Sequence, residues 1–340
     1  MGPRRAVPIL LDGLAKLEYR GYDSAGIAVL EGGVVKVRKR AGKLAGLAEN
    51  LRDYNGHACT GIGHTRWATH GCPSDTNAHP HVDCSGRFAV VHNGIIENYL
   101  ELREWLGSQG HRFASETDTE VLPHLVEQFY RGDLVEAVRR VVECIRGSYA
   151  MVVLAADEPD KLVAVRQDSP LVVGLGQGEN FLASDIPALL AYTRRTYILD
   201  DGEMAVLTPE EVGIFDRCGK PVEKRVFEVK WEAAQAEKNG FAHFMLKEIH
   251  EQPRALRDTL KGRLAGDDSA VVLKELALDE EKLKNLRKIF ITACGTAYHA
   301  GLVGKYVIEQ LARIPVEVDI ASEFRYRQPI IDEGTLVIVI

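Results

Sequence analysis

The sequence predicts two bodies in series, an α+β layered sandwich followed by an α/β domain on a parallel sheet. Three observations carry that reading. The first two-thirds of the 340 residues hold short β-type runs in sequence-distant groups with helical patterns between them. Around 222–242 the chain turns polar and charged and ends in Asn-Gly, the composition of a linker. Past that point strand and helix alternate, as they do in a parallel sheet.

The elements follow in order. Arg4–Tyr19 sets Val7, Leu10, Leu11, Leu14 and Leu17 at helical spacing, and Thr119–Arg131 and Leu134–Ile145 read likewise. Ile27–Leu30, Val34–Val37, Phe88–His92, Ala150–Ala155, Lys161–Arg166, Val172–Leu175 and Met204–Leu207 are strands set off by Gly, Asp or Pro. Residues 1–221 thus form the first domain, 222–242 the linker and 243–340 the second. In the second, a helix spans His243–Leu260. Glu280–Asn285 leads to a strand at Ile289–Thr292, then a small-residue turn and a helix running to about Leu311. Val316–Ile320 and Leu336–Ile340 are two more apolar strands, the last expected to be central and buried. Both ends look cut, because the chain opens almost directly into a helix and stops on an apolar strand.

Composition narrows the function classes. The chain is 46% hydrophobic and 27% charged, a globular profile. Its net charge of −7 disfavours nucleic-acid and anionic-membrane partners, which need clustered basic surface. The basic run Lys36–Lys43 reads as a solvated strand edge. Six scattered cysteines with no CxxC pair and no signal peptide fit reduced thiols in a cytoplasm. No apolar run is long enough to cross a membrane as a helix.

Four segments carry chemistry: LEYRGYDSAG (17–26), HTRWATHG (64–71), VVHNGIIEN (90–98) and SETDTE (115–120). Singly each is weak. In this order and spacing they resemble the glutaminase domain of class II glutamine amidotransferases, and YRGYDSAG resembles the branch that makes glucosamine 6-phosphate. NAHPH, KEIHEQP, ACGTAYHAG and IASEFRYR extend the resemblance over nearly the whole chain. It implies an α+β N-terminal-nucleophile (Ntn) glutaminase sandwich (αββα), followed by an incomplete α/β sugar isomerase (SIS) parallel-sheet domain.

A glutamine pocket needs a cation for the α-carboxylate and an anion for the α-ammonium. By resemblance Arg66 and Asp118 take those roles, with Thr69 and His70 at the carboxylate end and Trp67 beside them, near the gate of an ammonia passage. Trp67 and the flanking glycines suggest a packed loop. Asn93-Gly94 follows an apolar strand at its exposed end. An Asn amide and the next backbone N–H can form an oxyanion hole, worth about 3–4 kcal/mol at the transition state; the alternative is a hairpin turn. Arg20, Tyr22 and Asp23 lie in a loop that the resemblance suggests closes over glutamine, with Gly21 and Gly26 giving it freedom; the alternative is a static connection.

The family's nucleophile is a cysteine at the mature amino terminus, whose own α-amine acts as base. The Cys-Gly-Ile-Val-Gly-type start is absent here, so the chain as written is expected to be inactive. Cys59, Cys72 and Cys84 have no adjacent α-amine and read as packed or loop residues. Five histidines fall between His64 and His92, but no carboxylate or cysteine partners them at a recurring ligand spacing, so no metal is expected. No cofactor is implied.

In the second domain, the strand–CGTAYHAG–helix suits a phosphate at a helix N-terminus. Gly295 and Thr296 are the candidates, with Ala297 where many relatives have Ser. The resemblance implies L-glutamine and fructose 6-phosphate as substrates, cytoplasmic localisation and a homodimer through SIS contacts. The alternative is a non-catalytic glutamine- or sugar-phosphate-binding module. Sibling amidotransferases acting on phosphoribosyl pyrophosphate or aspartate would not carry CGTAYHAG.

Overall fold

A computed structural model describes residues 1–230, 241–264, 271 and 280–340. The described chain divides into two compact units, Met1–His243 and Phe244–Ile340.

The first unit opens with α1 (Ala6–Leu17), whose apolar stripe buries Val7 and Leu14. A single 3-10 turn, Glu18–Arg20, leads to β1 (Ser24–Glu31), β2 (Val34–Ala41), α2 (Leu44–Asn50) and β3 (Thr60–Arg66). These strands form an antiparallel sheet in the order β2-β1-β3. β4 (His81–Val82), β5 (Phe88–Ile96), α3 (Tyr99–Ser108), α4 (Val121–Phe129), α5 (Leu134–Cys144), β6 (Gly147–Ala155) and β7 (Leu162–Gln167) follow. Then come β8 (Val172–Leu175), β9 (Asn180–Ala183), β10 (Arg195–Ile198), β11 (Met204–Leu207), β12 (Val212–Phe215) and β13 (Phe227–Glu228). The central sheet runs β12-β11-β7-β6-β5-β4, and a four-stranded sheet runs β13-β10-β8-β9.

Strand alternation decides the layering. Phe88, Val90, Met151 and Val153 face Leu122, Leu125 and Val138 of α4 and α5 in one core. Their neighbours Ala89, Val91, Val152 and Leu154 face Ala28, Ile62 and Val173 of the other two sheets in a second. α1 and α2 cover the far side of β1 through Leu14, Leu47 and Ile27. The layers are helix, sheet, sheet, helix, as expected.

Three expectations need correction in this unit. β3 falls where no strand was read, because TGIGHTR has one aliphatic residue; pairing with β1 and burial under α1 supply what pattern lacks. Second, the stretch read as linker from 222 still belongs to the first unit at its start. Val222 N–H donates to the Ile214 carbonyl, and 227–228 pair with β10 as β13. The remainder of that stretch, 231–240, lies outside the described residues. Third, Gly26 sits inside β1 and not in the loop before it.

The second unit contains α6 (Phe244–Leu260), α7 (Glu280–Lys284), β14 (Lys288–Ala293), α8 (Gly295–Ala312), β15 (Val316–Ile320), α9 (Ala321–Tyr326) and β16 (Thr335–Val339). Its parallel sheet has the order β15-β14-β16. β14 is therefore the central strand among those described, with Ile289, Phe290 and Ile291 buried. β16 pairs beside it and is half exposed, where the sequence pattern had predicted a buried central strand.

Candidate active site

A cavity of about 510 Å³ opens in the first unit between α1, β3, β5 and β6. Arg66, Thr69, Asn93, Gly94 and Asp118 all line it, as do Arg20 and Trp67.

Arg66 ends β3 with 4% of its surface exposed. Its Nη2 donates to the carbonyls of His70 and Gly71, which fixes the guanidinium plane. Nη1 is buried without a hydrogen-bond partner. Burial lowers the affinity of this guanidinium for its proton, and Asp23 and Asp118 oppose that shift. A buried cation with one donor unmatched favours an anionic ligand.

Asp118 supplies the opposite charge. It precedes α4 and is buried, with Oδ2 accepting the Ile96 N–H at 2.8 Å. Its Oδ1 lies 3.7 Å from His70 Nδ1. The loop 66–71 thus touches both charges, Arg66 through the His70 carbonyl and Asp118 through the His70 ring. Thr69 is exposed, with its hydroxyl 3.3 Å from His70 Nδ1.

Asn93 and Gly94 lie within β5, paired with Ala150 and Tyr149 of β6. The strand continues to Ile96, so the pair is neither a hairpin turn nor a strand end, which corrects the sequence reading. Gly94 has φ +125°, and a Cβ there would stand 2.0 Å from the Ser148 carbonyl oxygen. Only glycine fits. Asn93 Oδ1 accepts from His64 Nε2 at 2.8 Å. That bond puts the His64 proton on Nε2 and leaves the Asn93 Nδ2 donor for another acceptor. Burial drives the His64 pKa down to about 4, so the ring is neutral near pH 7.

The loop residues are tied to β3 rather than loose. Asp23 N–H donates to the Arg66 carbonyl, and Asp23 Oδ2 accepts the Ala68 N–H at 2.7 Å. Arg20 is exposed and pairs with Asp185 at 3.5 Å. Tyr22 packs edge-on against Trp67 with ring centroids 5.4 Å apart. Trp67 is 60% exposed, so it is not the packed residue expected; its neighbour Arg66 is. Gly21 has φ −171°, open to any residue, but a Cβ would meet the Arg66 carbonyl carbon at 2.8 Å. The glycine is there for close approach, not for conformational freedom.

Four histidines cluster at the site, His79, His81 and His92 buried and His64 half-buried. His64 and His79 stack at 4.4 Å between centroids, and His79 and His81 meet at 5.0 Å. His81 Nε2 pairs with Thr117 and His92 Nδ1 with Thr119, which joins this cluster to the segment bearing Asp118.

Of the cysteines, Cys59 lines the cavity, but its thiol lies 3.3 Å from the His57 carbonyl and 3.6 Å from that of Pro3. Cys72 and Cys84 are exposed outside the cavity lining. In the second unit, Gly295 and Thr296 open α8 directly after β14, both exposed. No described helix is long and apolar enough to cross a membrane.

Comparison with known proteins agrees with this architecture. Residues 64–191 match a glutamine amidotransferase domain model, and 282–340 match a SIS domain model. The chain is 58% identical to glutamine–fructose-6-phosphate aminotransferase (isomerizing) of Caldanaerobacter subterraneus subsp. tengcongensis. It is 60% identical to the protein of that name from Symbiobacterium thermophilum. In each case the match covers 100% of this chain and 56% of the relative. The chain therefore spans little more than half the length of these curated relatives. Among solved structures, glutamine phosphoribosylpyrophosphate amidotransferase from B. subtilis matches with a TM-score of 0.57 at 20% identity. That match covers 93% of this chain and 64% of the other and shows a shared fold.

Proposed function

Because this chain belongs to the glutamine–fructose-6-phosphate aminotransferase family, we propose that its first unit binds glutamine and releases ammonia from the side-chain amide. The ammonia aminates fructose 6-phosphate, held by the SIS region with Gly295 and Thr296 at the phosphate, and isomerisation gives glucosamine 6-phosphate.

The observation that supports this reading is that a buried cation with a spare donor (Arg66), a buried carboxylate (Asp118) and the Asn93-Gly94 pair line one cavity. Arg66 Nη1 takes the α-carboxylate and Asp118 the α-ammonium. When a thiolate adds to the side-chain amide, the carbonyl oxygen gains charge. The Gly94 N–H and the Asn93 Nδ2 donor, freed by His64, stabilise it. The leaving nitrogen takes a proton and departs as ammonia, and water then cleaves the thioester to glutamate.

We assign the nucleophile to an amino-terminal cysteine on an extended segment seated in this cavity. β3 has β1 on one side only among the described strands, and the cavity runs along it from Gly61 to Arg66. A strand added there would place a terminal thiol and its α-amine beside Asn93.

The test supplies that segment in trans. The protein is mixed with a synthetic Cys-Gly-Ile-Val-Gly-type peptide, and glutamate release is measured. Activity with the free peptide and none with its acetylated form is expected. Glutamine binding by calorimetry with no turnover under any condition would favour a binding module instead.

A further inference from the structure

On the helical side of the first unit, away from the cavity, four side chains from three separate segments converge. Cys84 lies in the turn after β4, His111 in the loop after α3, and His124 and Glu127 one turn apart on α4. Their ligand atoms all lie within 4.8 Å of one another. Cys84 Sγ is 3.6 Å from His124 Nδ1 and 3.9 Å from His111 Nδ1. Glu127 Oε2 is 3.1 Å from His111 Nδ1 and 3.9 Å from His124 Nδ1. A tetrahedral zinc ion with one sulfur and three nitrogen or oxygen ligands needs edges of roughly 3.3–3.6 Å. These four distances fall on either side of that range, and the remaining two pairs stay within 4.8 Å.

The surroundings are those of a ligand set. Both imidazoles turn Nδ1 toward Cys84 Sγ and Glu127 Oε2. His111 Nε2 points outward to Gln128 Oε1 at 3.1 Å. His124 Nε2, buried and without a hydrogen-bond partner, faces Glu120 Oε1 at 3.8 Å. Glu120 is itself held by Ser115 and the Ala114 and Ser115 N–H groups. The Gln128 acceptor behind His111 favours the tautomer that leaves its Nδ1 bare for a cation. The Arg112 N–H donates to Cys84 Sγ at 3.2 Å, which helps to orient the sulfur. His124 is 1% exposed, His111 7% and Glu127 19%, while Cys84 is exposed and gives an ion its way in.

We propose that Cys84, His111, His124 and Glu127 bind a divalent transition metal, with zinc the best match. One thiolate, two imidazoles and one carboxylate suit a borderline-soft ion that accepts a tetrahedron, and they suit magnesium or calcium poorly. All four positions are filled by protein, so the role is structural. The ion clips the β4 turn and α4 to the start of the loop 111–120, which carries Asp118. This site stands apart from the glutamine cavity and does not depend on the proposed reaction.

The test uses cobalt as a spectroscopic probe on the whole chain after chelator treatment. One equivalent of Co²⁺ is expected to give the visible bands of a tetrahedral site and a thiolate-to-cobalt charge-transfer band. One equivalent of Zn²⁺ should abolish both. Cys84→Ser, at an exposed position, should lose the charge-transfer band and the thermal stabilisation by zinc. Cys218→Ser, at a distant exposed position, should keep both. Glu127→Gln should weaken cobalt binding at least about tenfold, as expected for loss of a metal ligand or its support. A wild-type chain with no charge-transfer band, or a band untouched by Cys84→Ser, overturns the proposal.

Discussion

At Gly94 the backbone has φ +125° and the Ser148 carbonyl occupies the space a side chain would need. Gly94→Ala should therefore cost stability, at least about 2 kcal/mol from backbone strain and displacement of β6, measured by denaturant unfolding. Asn93→Ala keeps the strand's backbone pairing with β6 and removes one donor of the proposed oxyanion hole. In a turnover-competent protein it should lower kcat by about 10²–10³ with KM for glutamine little changed. A rise in KM alone would place Asn93 in ground-state binding. Arg66→Lys separates the other function. A lysine cannot hold the His70 and Gly71 carbonyls and still offer a planar second donor, so KM for glutamine should rise at least about tenfold. The sequence singles these residues out but does not show how they are aimed. Nothing in VVHNGIIEN reveals that His64, 29 positions earlier, holds Asn93 by its oxygen.

Elements with strong apolar pattern were legible, and those made by tertiary pairing were not. Val172–Leu175, Met204–Leu207 and Val316–Ile320 end where the pattern says, because β-branched and aliphatic residues fill consecutive or alternate sheet positions. β3 and β13 escaped notice, since glycine, histidine and charge carry no period and only the neighbouring strand defines them. The Cys84–Glu127 cluster escaped for the same reason: its outer ligands lie 43 positions apart, and the fold alone unites them. The packing of β3, β4 and β5 around their histidines carries a prediction at this scale. Burial lowers the pKa of His64 to about 4 and that of His81 to about 3, and that of His79 falls well below its usual value. In the unfolded chain these rings titrate near 6.5. Between those limits the unfolded state binds protons the folded state refuses, so stability rises with pH. The full contribution is present above about pH 6.5 and is lost as pH falls toward 4. His64 alone accounts for at most about 3 kcal/mol of this. Urea unfolding between pH 7.5 and 4.5 should show that decline, and His64→Asn should flatten it. A stability flat across this window would mean water reaches the rings.

At the scale of the molecule, the two units have separate cores. Leu125, Val138, Met151 and Val153 belong to one interior of the first unit, and Ile289, Ile291 and Val316 to the interior of the second. Separate cores unfold separately unless an extensive interface couples them. Scanning calorimetry of the whole chain should therefore resolve two transitions. Every group assigned to glutamine lies within Met1–His243. If the first unit binds glutamine as proposed, glutamine at about a hundredfold its Kd stabilises it by about 2.7 kcal/mol. For a unit of this size that raises the first unit's transition by about 5–10 °C and leaves the other in place. Asp118→Asn should remove the shift without removing the transition. If glutamine moved both transitions together, the units would unfold as one cooperative body, and ligand binding in the first would be energetically coupled to the SIS region.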